Sequence, residues 1–195
     1  MKKTLSLILI VVIGIASVYA LVYYTKMDTF AFAWALNFML MLFVSMFSGV
    51  LKSPLISSYY NQKTWERSGE TYRYLGIDVF RKLLVWIGWE KVIRKSCPIE
   101  KNTKALVNLH YQTKRSEIDH LTIFVIVLAF NVFVAIQYGI LKSLSLLILN
   151  VLLNLYPILL QRYNRPRIER ALNLSKRREG NFLSLPHESR RIKKA

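Results

Sequence analysis

The sequence predicts an all-α integral membrane protein with about four transmembrane helices and with amphipathic interfacial helices on the cytoplasmic side. Its 195 residues are 53% hydrophobic with a mean hydropathy of +0.29, and the apolar residues stand in long uncharged blocks instead of an alternating pattern. The chain also carries 28 Lys and Arg against 11 Asp and Glu. This composition excludes a disordered chain, which requires low hydrophobicity, and it argues against an ordinary soluble domain.

Four uncharged blocks are long enough, or nearly so, to cross a bilayer. A helix needs roughly 20 apolar residues to span a hydrocarbon core of about 30 Å. The blocks cover residues 5–24, 30–51, 121–140 and 144–160, and the last is at the short end. The first follows Lys2 and Lys3 and contains Val18-Tyr19-Ala20, which resembles a signal-peptide cleavage site. Its length favours a retained anchor over a cleaved signal.

The basic residues lie on one side of this predicted topology. Two of them precede the first block, 13 lie in residues 52–119 and 11 in residues 161–195, whereas the two remaining connections hold only Lys26 and Lys142. The positive-inside rule therefore predicts a multi-pass protein of the cell membrane with both termini in the cytoplasm. The net charge of +17 then makes the cytoplasmic face strongly positive, which favours anionic lipid headgroups and polyanionic ligands as partners. Nucleic acid is not expected as a partner.

The hydropathy pattern divides the chain into four segments. Residues 1–58 are expected to form a transmembrane hairpin, 59–120 an amphipathic helical segment in the cytoplasm, 121–170 a second transmembrane hairpin with a basic exit, and 171–195 a basic cytoplasmic tail. Within residues 79–93, apolar side chains recur at helical spacing among basic ones. Such a helix either lies in the headgroup plane or packs on the protein's own spans.

The residues directly before the third span contain a candidate general base. Glu117 and His120 are three positions apart, and Arg115 and Asp119 are four apart, so each pair shares a face if the helix starts early. A carboxylate beside an imidazole fixes its tautomer and raises its basicity, which suits a base that acts at neutral pH. The alternative for His120 is an interfacial side chain at an ion-paired helix start.

Metal and redox chemistry have little support in the sequence. Glu117 and His120 have a spacing known for two metal ligands, but only His110 offers a third nearby. The chain has one Cys, Cys97, which is too few for a disulfide framework. With only three His beside it, a structural zinc site would need nearly all of these residues. We therefore expect no metal site and no catalytic role for Cys97.

A dense polar motif leaves the inner end of the fourth span. It reads Gln161-Arg162-Tyr163-Asn164-Arg165-Pro166-Arg167. The arginines can be simple stop-transfer charges, but the interleaved polar and aromatic residues exceed what stopping translocation requires. Because guanidinium groups match phosphate oxygens in pairs, the motif predicts a phosphorylated ligand. His120 opens the third span and this motif closes the fourth at the same predicted face, so the two are expected to form one site.

Three asparagines lie at membrane depth within the predicted second hairpin. They are Asn131, Asn150 and Asn154. Polar side chains at such depth usually face a partner helix. Contacts between helices are therefore favoured over contacts with substrate.

A charged and aromatic stretch, Trp65-Glu66-Arg67-Ser68-Gly69, lies just inside the second span. On a solvated helix, Glu66 and Glu70 are expected to pair with Arg67 and Arg73. The alternative is a role in binding headgroups or substrate.

These motifs resemble those of the glycosyl-4,4'-diaponeurosporenoate acyltransferases. The resemblance rests on Trp65-Glu66-Arg67-Ser68-Gly69, on Thr113-Lys114-Arg115-Ser116-Glu117-x-x-His120 and on the 161–167 motif, and it covers roughly residues 59–178. Members often have an acidic residue where this chain has Gln112, so no carboxylate role is carried over there. The resemblance implies transfer of a fatty acyl group from acyl-CoA, as co-substrate and without a further cofactor, to a sugar hydroxyl of a membrane-dissolved glycosylated carotenoid or similar lipid.

The implied chemistry assigns roles to both motifs. His120 acts as the base and Glu117 orients it, while cations bind the phosphates of CoA. The residues assigned to CoA are Arg115, Gln161, Arg162, Tyr163, Asn164, Arg165 and Arg167. Because the sequence has no nucleophile elbow, direct attack is favoured over an acyl-enzyme. Two alternatives stand beside this one: a metal-dependent membrane hydrolase that uses Glu117 and His120, and a non-enzymatic basic membrane protein that binds anionic lipids.

Overall fold

The computed structural model describes residues 2–88 and 102–183, and all regular elements in this part of the chain are helical. In chain order they are α1 (Lys2–Tyr24), α2 (Phe30–Leu51), two 3-10 helices (Ser58–Tyr60 and Thr64–Gly69), α3 (Thr71–Tyr74), α4 (Ile77–Trp86), α5 (Thr103–Tyr138), α6 (Ile140–Asn150), a π-helical segment (Val151–Leu155) and α7 (Tyr156–Leu183). Four stretches are long and apolar enough to cross a membrane: α1, α2, α5 and the continuous stretch Ile140–Glu179. The predicted all-α membrane fold is confirmed.

The long helices extend beyond the apolar blocks that predicted them. The block at residues 121–140 corresponds to the second half of α5, which already begins at Thr103. The block at 144–160 lies inside a stretch that runs through α6, the π-helical segment and into α7. The predicted amphipathic helix at residues 79–93 overlaps α4, which begins at Ile77 and already ends at Trp86, with Ile87 as its C-cap. Cys97, residues 89–93 and the tail after residue 183 lie outside the described residues.

Contacts between residues divide the described chain into two compact units. We call residues 2–61 and 114–161 the apolar unit, and residues 62–88, 102–113 and 162–183 the polar unit. Each unit combines two distant parts of the chain, and the three boundaries fall between Asn61 and Gln62, inside α5, and between Gln161 and Arg162 of α7.

The apolar unit is built around side chains of α2 and α5. Phe32, Leu36 and Val127 are completely buried there, whereas α1 has no buried residue and packs against this core through half-buried side chains. A helix with so little buried surface is expected to face lipid along most of its circumference. At one end of the α1–α2 hairpin, the ammonium of Lys3 donates to the carbonyl of Leu51 at 2.8 Å.

The polar unit has a small core of its own. Tyr72 and Ile77 are buried almost completely, and Phe80, Tyr163 and Leu172 are more than nine-tenths buried. The guanidinium of Arg81 on α4 donates to the hydroxyl of Tyr163 on α7 at 3.3 Å. This contact joins the segment before residue 88 to the segment after residue 162.

Candidate active site

His120, the predicted base, lies on α5 and contacts a residue that the sequence analysis did not assign to catalysis. Its Nδ1 is 3.3 Å from Oδ1 of Asn154. Asn154 is fully buried in the π-helical segment Val151–Leu155. Single turns of π-helix occur often at functional sites, because the wider turn re-aims one side chain.

The orientation of the Asn154 amide is determined by two neighbouring asparagines. Nδ2 of Asn37 donates to the carbonyl of Ala33 at 2.8 Å, and Nδ2 of Asn150 donates to the carbonyl of Phe124 at 3.0 Å. Carbonyls only accept, so both asparagines must present their side-chain oxygens to Asn154. Asn154 meets them with its amide nitrogen, at 2.7 Å from Oδ1 of Asn37 and 2.9 Å from Oδ1 of Asn150.

This network assigns the tautomer of His120. Because both N–H groups of Asn154 are used, the atom facing the ring is an acceptor, and Nδ1 of His120 must donate to it. In the neutral ring the lone pair then lies on Nε2. That nitrogen is therefore the atom able to accept a proton, which suits the predicted role of general base.

Two of the membrane asparagines thus join helices, as expected, and one of them also binds His120. Asn150 links the end of α6 to α5, and Asn154 links the π-helical segment to α2. The third, Asn131, donates to the carbonyl of Ser143 at 2.8 Å. The predicted contacts between helices are confirmed for all three.

Glu117, the predicted orienting residue, is completely buried on α5. The partner found at Nδ1 of His120 is the side-chain oxygen of Asn154, which accepts from it, and the orienting role of Glu117 stays a prediction. Gln161, at the last position of the apolar unit, donates to the hydroxyl of Ser116 at 3.2 Å.

Arg115 belongs to a polar cluster with residues of α2. Its Nε donates to the hydroxyl of Ser48 at 2.9 Å, and its Nη2 donates to the carbonyl of Ser45 at 2.7 Å. Ser48 in turn donates to Asp119 at 2.8 Å. The carboxylate of Asp119 lies 3.8 Å from Nε of Arg115, which confirms that these two residues share a face of the helix.

In the polar unit, Arg162 pairs with Glu66. Its Nη1 donates to Oε1 of Glu66 at 2.8 Å, and the two side chains are only 12% and 5% exposed. The same carboxylate accepts from the hydroxyl of Tyr72 at 2.6 Å and from the backbone N–H of Lys63 at 2.8 Å. Burial alone would raise the pKa of Glu66, but the hydrogen bonds from Tyr72, Lys63 and Arg162, together with the charge of Arg162, outweigh it and lower the pKa below its usual value.

The pairing expected within residues 65–76 differs from the one observed. Glu66 binds Arg162, and Arg73 pairs with Asp78 at 3.0 Å. A regular helix would bring Glu66 and Glu70 onto one face, but the backbone here is 3-10 and has φ values of +44° at Arg67 and +58° at Ser68. This local turn changes the directions in which the side chains of Glu66 and Glu70 leave the backbone, so helical spacing does not apply to them.

Gly69 ends that turn in close contact with the 161–167 motif. Its φ is +91°, and a Cβ at this position would lie 2.9 Å from the carbonyl oxygen of Tyr163. Both the left-handed backbone and the close approach therefore require glycine. The guanidinium of Arg167 donates to the same carbonyl and lies over the ring of Tyr163, 3.8 Å from its centroid.

The remaining residues of the motif are placed as follows. Arg165 is 4% exposed and makes long contacts of 3.4 Å to the hydroxyl and the carbonyl of Thr113. Asn164 is half-buried. Pro166 stands inside α7, where it has no N–H to donate to the carbonyl of Arg162. The predicted role of these residues in binding CoA stays a prediction.

A polar cavity of about 360 Å³ lies in the polar unit beside this motif. It is lined by Gln62, Ser68, Pro166, Glu169, Arg170, Asn173, Leu174 and Arg177. Arg170, Asn173 and Arg177 are exposed on α7. These two arginines, Arg170 and Arg177, were not part of the site predicted from the sequence. Their spacing along α7 was visible in the sequence, but nothing there showed that they border a cavity.

His110, considered as a third metal ligand, binds elsewhere. Its Nε2 lies 2.9 Å from Oε1 of Glu169. Among residues 2–88 and 102–183, no group of three or more His, Cys, Asp or Glu side chains is arranged to hold a metal ion.

Comparison with known proteins identifies the family. A family model described as glycosyl-4,4'-diaponeurosporenoate acyltransferase matches residues 56–174, more than half of the chain. No match was found among curated proteins or among solved structures.

Proposed function

The chain belongs to the glycosyl-4,4'-diaponeurosporenoate acyltransferase family, and we propose that it transfers a fatty acyl group from acyl-CoA to a sugar hydroxyl of a glycosylated carotenoid. Membership makes the protein an acyltransferase of carotenoid biosynthesis. The thioester donor, the role of His120 and the side of the membrane are the parts that we propose. The observation that carries the mechanism is the hydrogen-bond network that leaves the lone pair of His120 on Nε2.

In the proposed step, the sugar hydroxyl attacks the carbonyl carbon of the thioester. The new C–O bond forms as the C–S bond breaks, and Nε2 of His120 takes the hydroxyl proton and returns it to the departing CoA sulfur. A general base in this role contributes about 10²- to 10⁴-fold to the rate. Asn154 keeps the ring in the reactive tautomer and stabilises the imidazolium that forms transiently.

The donor has phosphate groups that need cations. Arg162 is charge-paired with Glu66 and Arg165 is buried, so both are less accessible to a phosphate group than an exposed arginine. Arg170 and Arg177 are exposed and line the cavity that also contains Ser68 and Asn173. We propose that these two arginines add to the predicted set and bind phosphate oxygens of CoA.

The proposed orientation places both termini in the cytoplasm. It rests on the 26 basic residues of the three predicted inner segments against two in the outer connections. CoA thioesters are cytoplasmic metabolites, and the most basic segments would then meet the donor on the correct side.

The decisive experiment measures release of CoA thiol by purified protein in lipid nanodiscs, with a panel of acyl-CoAs and a glycosylated carotenoid acid as acceptor. Release that depends on the acceptor and falls by about 10²-fold or more in a folded His120→Ala variant supports the proposal. His110→Ala is the matched control, because His110 is the other imidazole on α5 and pairs with Glu169. Equal activity of wild type and His120→Ala would eliminate His120 as the base, and no release with any acyl-CoA would eliminate the thioester donor.

A further inference from the structure

An apolar groove of about 700 Å³ lies within the apolar unit, between α1, α2 and α5. Its walls include Val11, Ile15 and Val18 of α1, Val44 and Phe47 of α2, and Ile126 of α5. The volume falls within the range of about 300–1,000 Å³ that is usual for small-molecule sites. All three helices are candidate membrane spans, so the surroundings of this groove are hydrocarbon.

One end of the groove is polar. Ser48 and Asp119 line it there, and Arg115 binds both of them. The charges of Asp119 and Arg115 balance each other, so this end suits a neutral polar group better than an anionic phosphate. The other end, beside Val18, Leu40 and Ile126, has no charged lining residue.

The length of the groove favours a fatty acyl chain. Along α2 it extends from Leu40 to Leu51, which corresponds to about 16 Å at 1.5 Å per residue. An extended hydrocarbon advances about 1.3 Å per bond, so the groove holds roughly a dozen carbons. An acceptor that spans the bilayer would need about 30 Å and would not fit.

The polar end is also next to the proposed base in the chain. Asp119 and His120 are consecutive residues of α5, and consecutive Cα atoms are about 3.8 Å apart. A ligand with its carbonyl beside Asp119 would therefore lie at the same level of α5 as His120, although the two side chains leave the helix in different directions.

We propose that this groove binds the fatty acyl chain of the donor, with its neutral thioester carbonyl at the Ser48–Asp119 end and its methyl end beside Val18 and Ile126. The proposal rests on the proposed function, because it takes the acyl donor from that reaction. If so, the length of the groove determines the chain-length selectivity, and the residues at its apolar end determine the longest acyl chain accepted.

The first test measures binding without turnover. A 12-carbon acyl-CoA that carries a diazirine at its last carbons is photolysed with the protein in nanodiscs, without acceptor, and labelled residues are mapped by mass spectrometry. We expect labels at Val18, Leu40 or Ile126 that unlabelled acyl-CoA of the same length competes away and that CoA alone does not. Ile13 is an exposed residue of α1 outside the groove. If Ile13 is labelled as strongly as the groove residues, or if the labels resist competition, the contact is that of an ordinary lipid and the proposal is overturned.

The second test measures chain-length selectivity. Val18→Phe shortens the groove by about two methylene groups, and we expect kcat/KM for a 12-carbon donor relative to an 8-carbon donor to fall about tenfold. Ile13→Phe is the matched control on the same helix and should leave this ratio unchanged. Because Val18 packs against the core, Ile15→Phe, at a groove residue that is 67% exposed, replaces it if Val18→Phe does not fold. An unchanged ratio in the folded groove variant overturns the proposal.

The two tests also separate this proposal from the proposed function. Competable labels in the groove, without transfer to any acceptor, would keep the acyl site and reject the proposed reaction. Transfer activity with labels outside the groove would keep the reaction and reject the acyl site.

Discussion

Arg162 donates from Nη1 to Oε1 of Glu66 at 2.8 Å, although the two residues are 96 positions apart and both are almost withdrawn from solvent. Close by in the same two motifs, Gly69 approaches the backbone of Tyr163, the residue that follows Arg162. The 65–69 and 161–167 motifs are therefore joined by two contacts, a buried charge pair and a close backbone approach.

The charge pair is expected to be essential for the stability of the polar unit. Glu66→Leu removes the acceptor of three hydrogen bonds and leaves Arg162 without this carboxylate. Breaking a buried pair by removing one partner costs about 3–5 kcal/mol. Thermal unfolding in nanodiscs should show a large fall in Tm. Asp78→Asn is the control, because it breaks only the exposed pairs with Arg73 and Arg81 and should lower the Tm far less. Equal effects of the two substitutions would contradict a stabilising role for Glu66.

The same carboxylate predicts how stability depends on acid. The pKa of Glu66 is lowered in the folded protein from an ordinary value of 4.5. Folding therefore favours the ionised form, so the stabilisation is complete above pH 4.5 and is lost as the pH falls below this value through the folded pKa. The Tm of wild type should decrease from about pH 5 towards the acid limit, where protonation of Glu66 begins. Glu66→Gln should start from a lower Tm at neutral pH and decrease less, and parallel curves would contradict the prediction.

Gly69→Ala should destabilise the protein for two separable reasons. Adding a Cβ at φ +91° costs about 1–2 kcal/mol from backbone strain, and the clash at 2.9 Å with the carbonyl of Tyr163 adds to it. Gly88→Ala isolates the first term, since Gly88 has a φ of +80° and an added Cβ there would meet nothing within 4 Å. We expect the Tm to fall clearly more for Gly69→Ala than for Gly88→Ala. Similar decreases of the Tm in the two variants would show that the backbone of Tyr163 moves away from the added Cβ at no measurable loss of stability.

Hydropathy predicted the spans well because it depends only on local composition. The second block, residues 30–51, coincides with α2, whose start is capped by the hydroxyl of Thr29 accepting from the N–H of Phe32. The pairing of Arg115 with Asp119 was also predictable, because helical spacing alone brings them to 3.8 Å.

The parts that were missed depend on distant residues or on irregular backbone. Nothing local signals that Glu66 binds Arg162, since the pair forms only after a turn with positive φ re-aims the chain. The π-helical segment that places Asn154 against His120 has an ordinary apolar composition, so the sequence suggested only a contact between helices. Residues 59–120 were expected to be helical, but the continuity of the stretch from Thr103 with the third span was not predicted, because its polar residues carry no hydropathy signal.

Arg170 and Arg177 are expected to determine the affinity for the donor. Arg170→Gln with Arg177→Gln should raise the KM for acyl-CoA about tenfold or more and leave kcat nearly unchanged, because phosphate contacts bind ground and transition states alike. Added salt should reduce the difference from wild type. Lys176→Gln is the matched control, as it removes a charge from an exposed residue of α7 outside the cavity. An unchanged KM in the double variant would exclude the cavity as a phosphate site.

Asn154 should act as a positioning residue for His120. Asn154→Leu keeps the size of the side chain but removes the acceptor that holds Nδ1, so the ring is free to place its lone pair on either nitrogen. We expect kcat to fall about tenfold to hundredfold, equivalent to about 1.4–2.7 kcal/mol of the barrier, with little change in the KM for donor or acceptor.

The variant should also lose stability, because the oxygens of Asn37 and Asn150 lose their donor. Asn131→Leu separates the two effects, since it removes a buried asparagine that binds Ser143 and should cost stability without lowering kcat per folded molecule. A similar fall of kcat in both variants would mean that Asn154 contributes through packing alone.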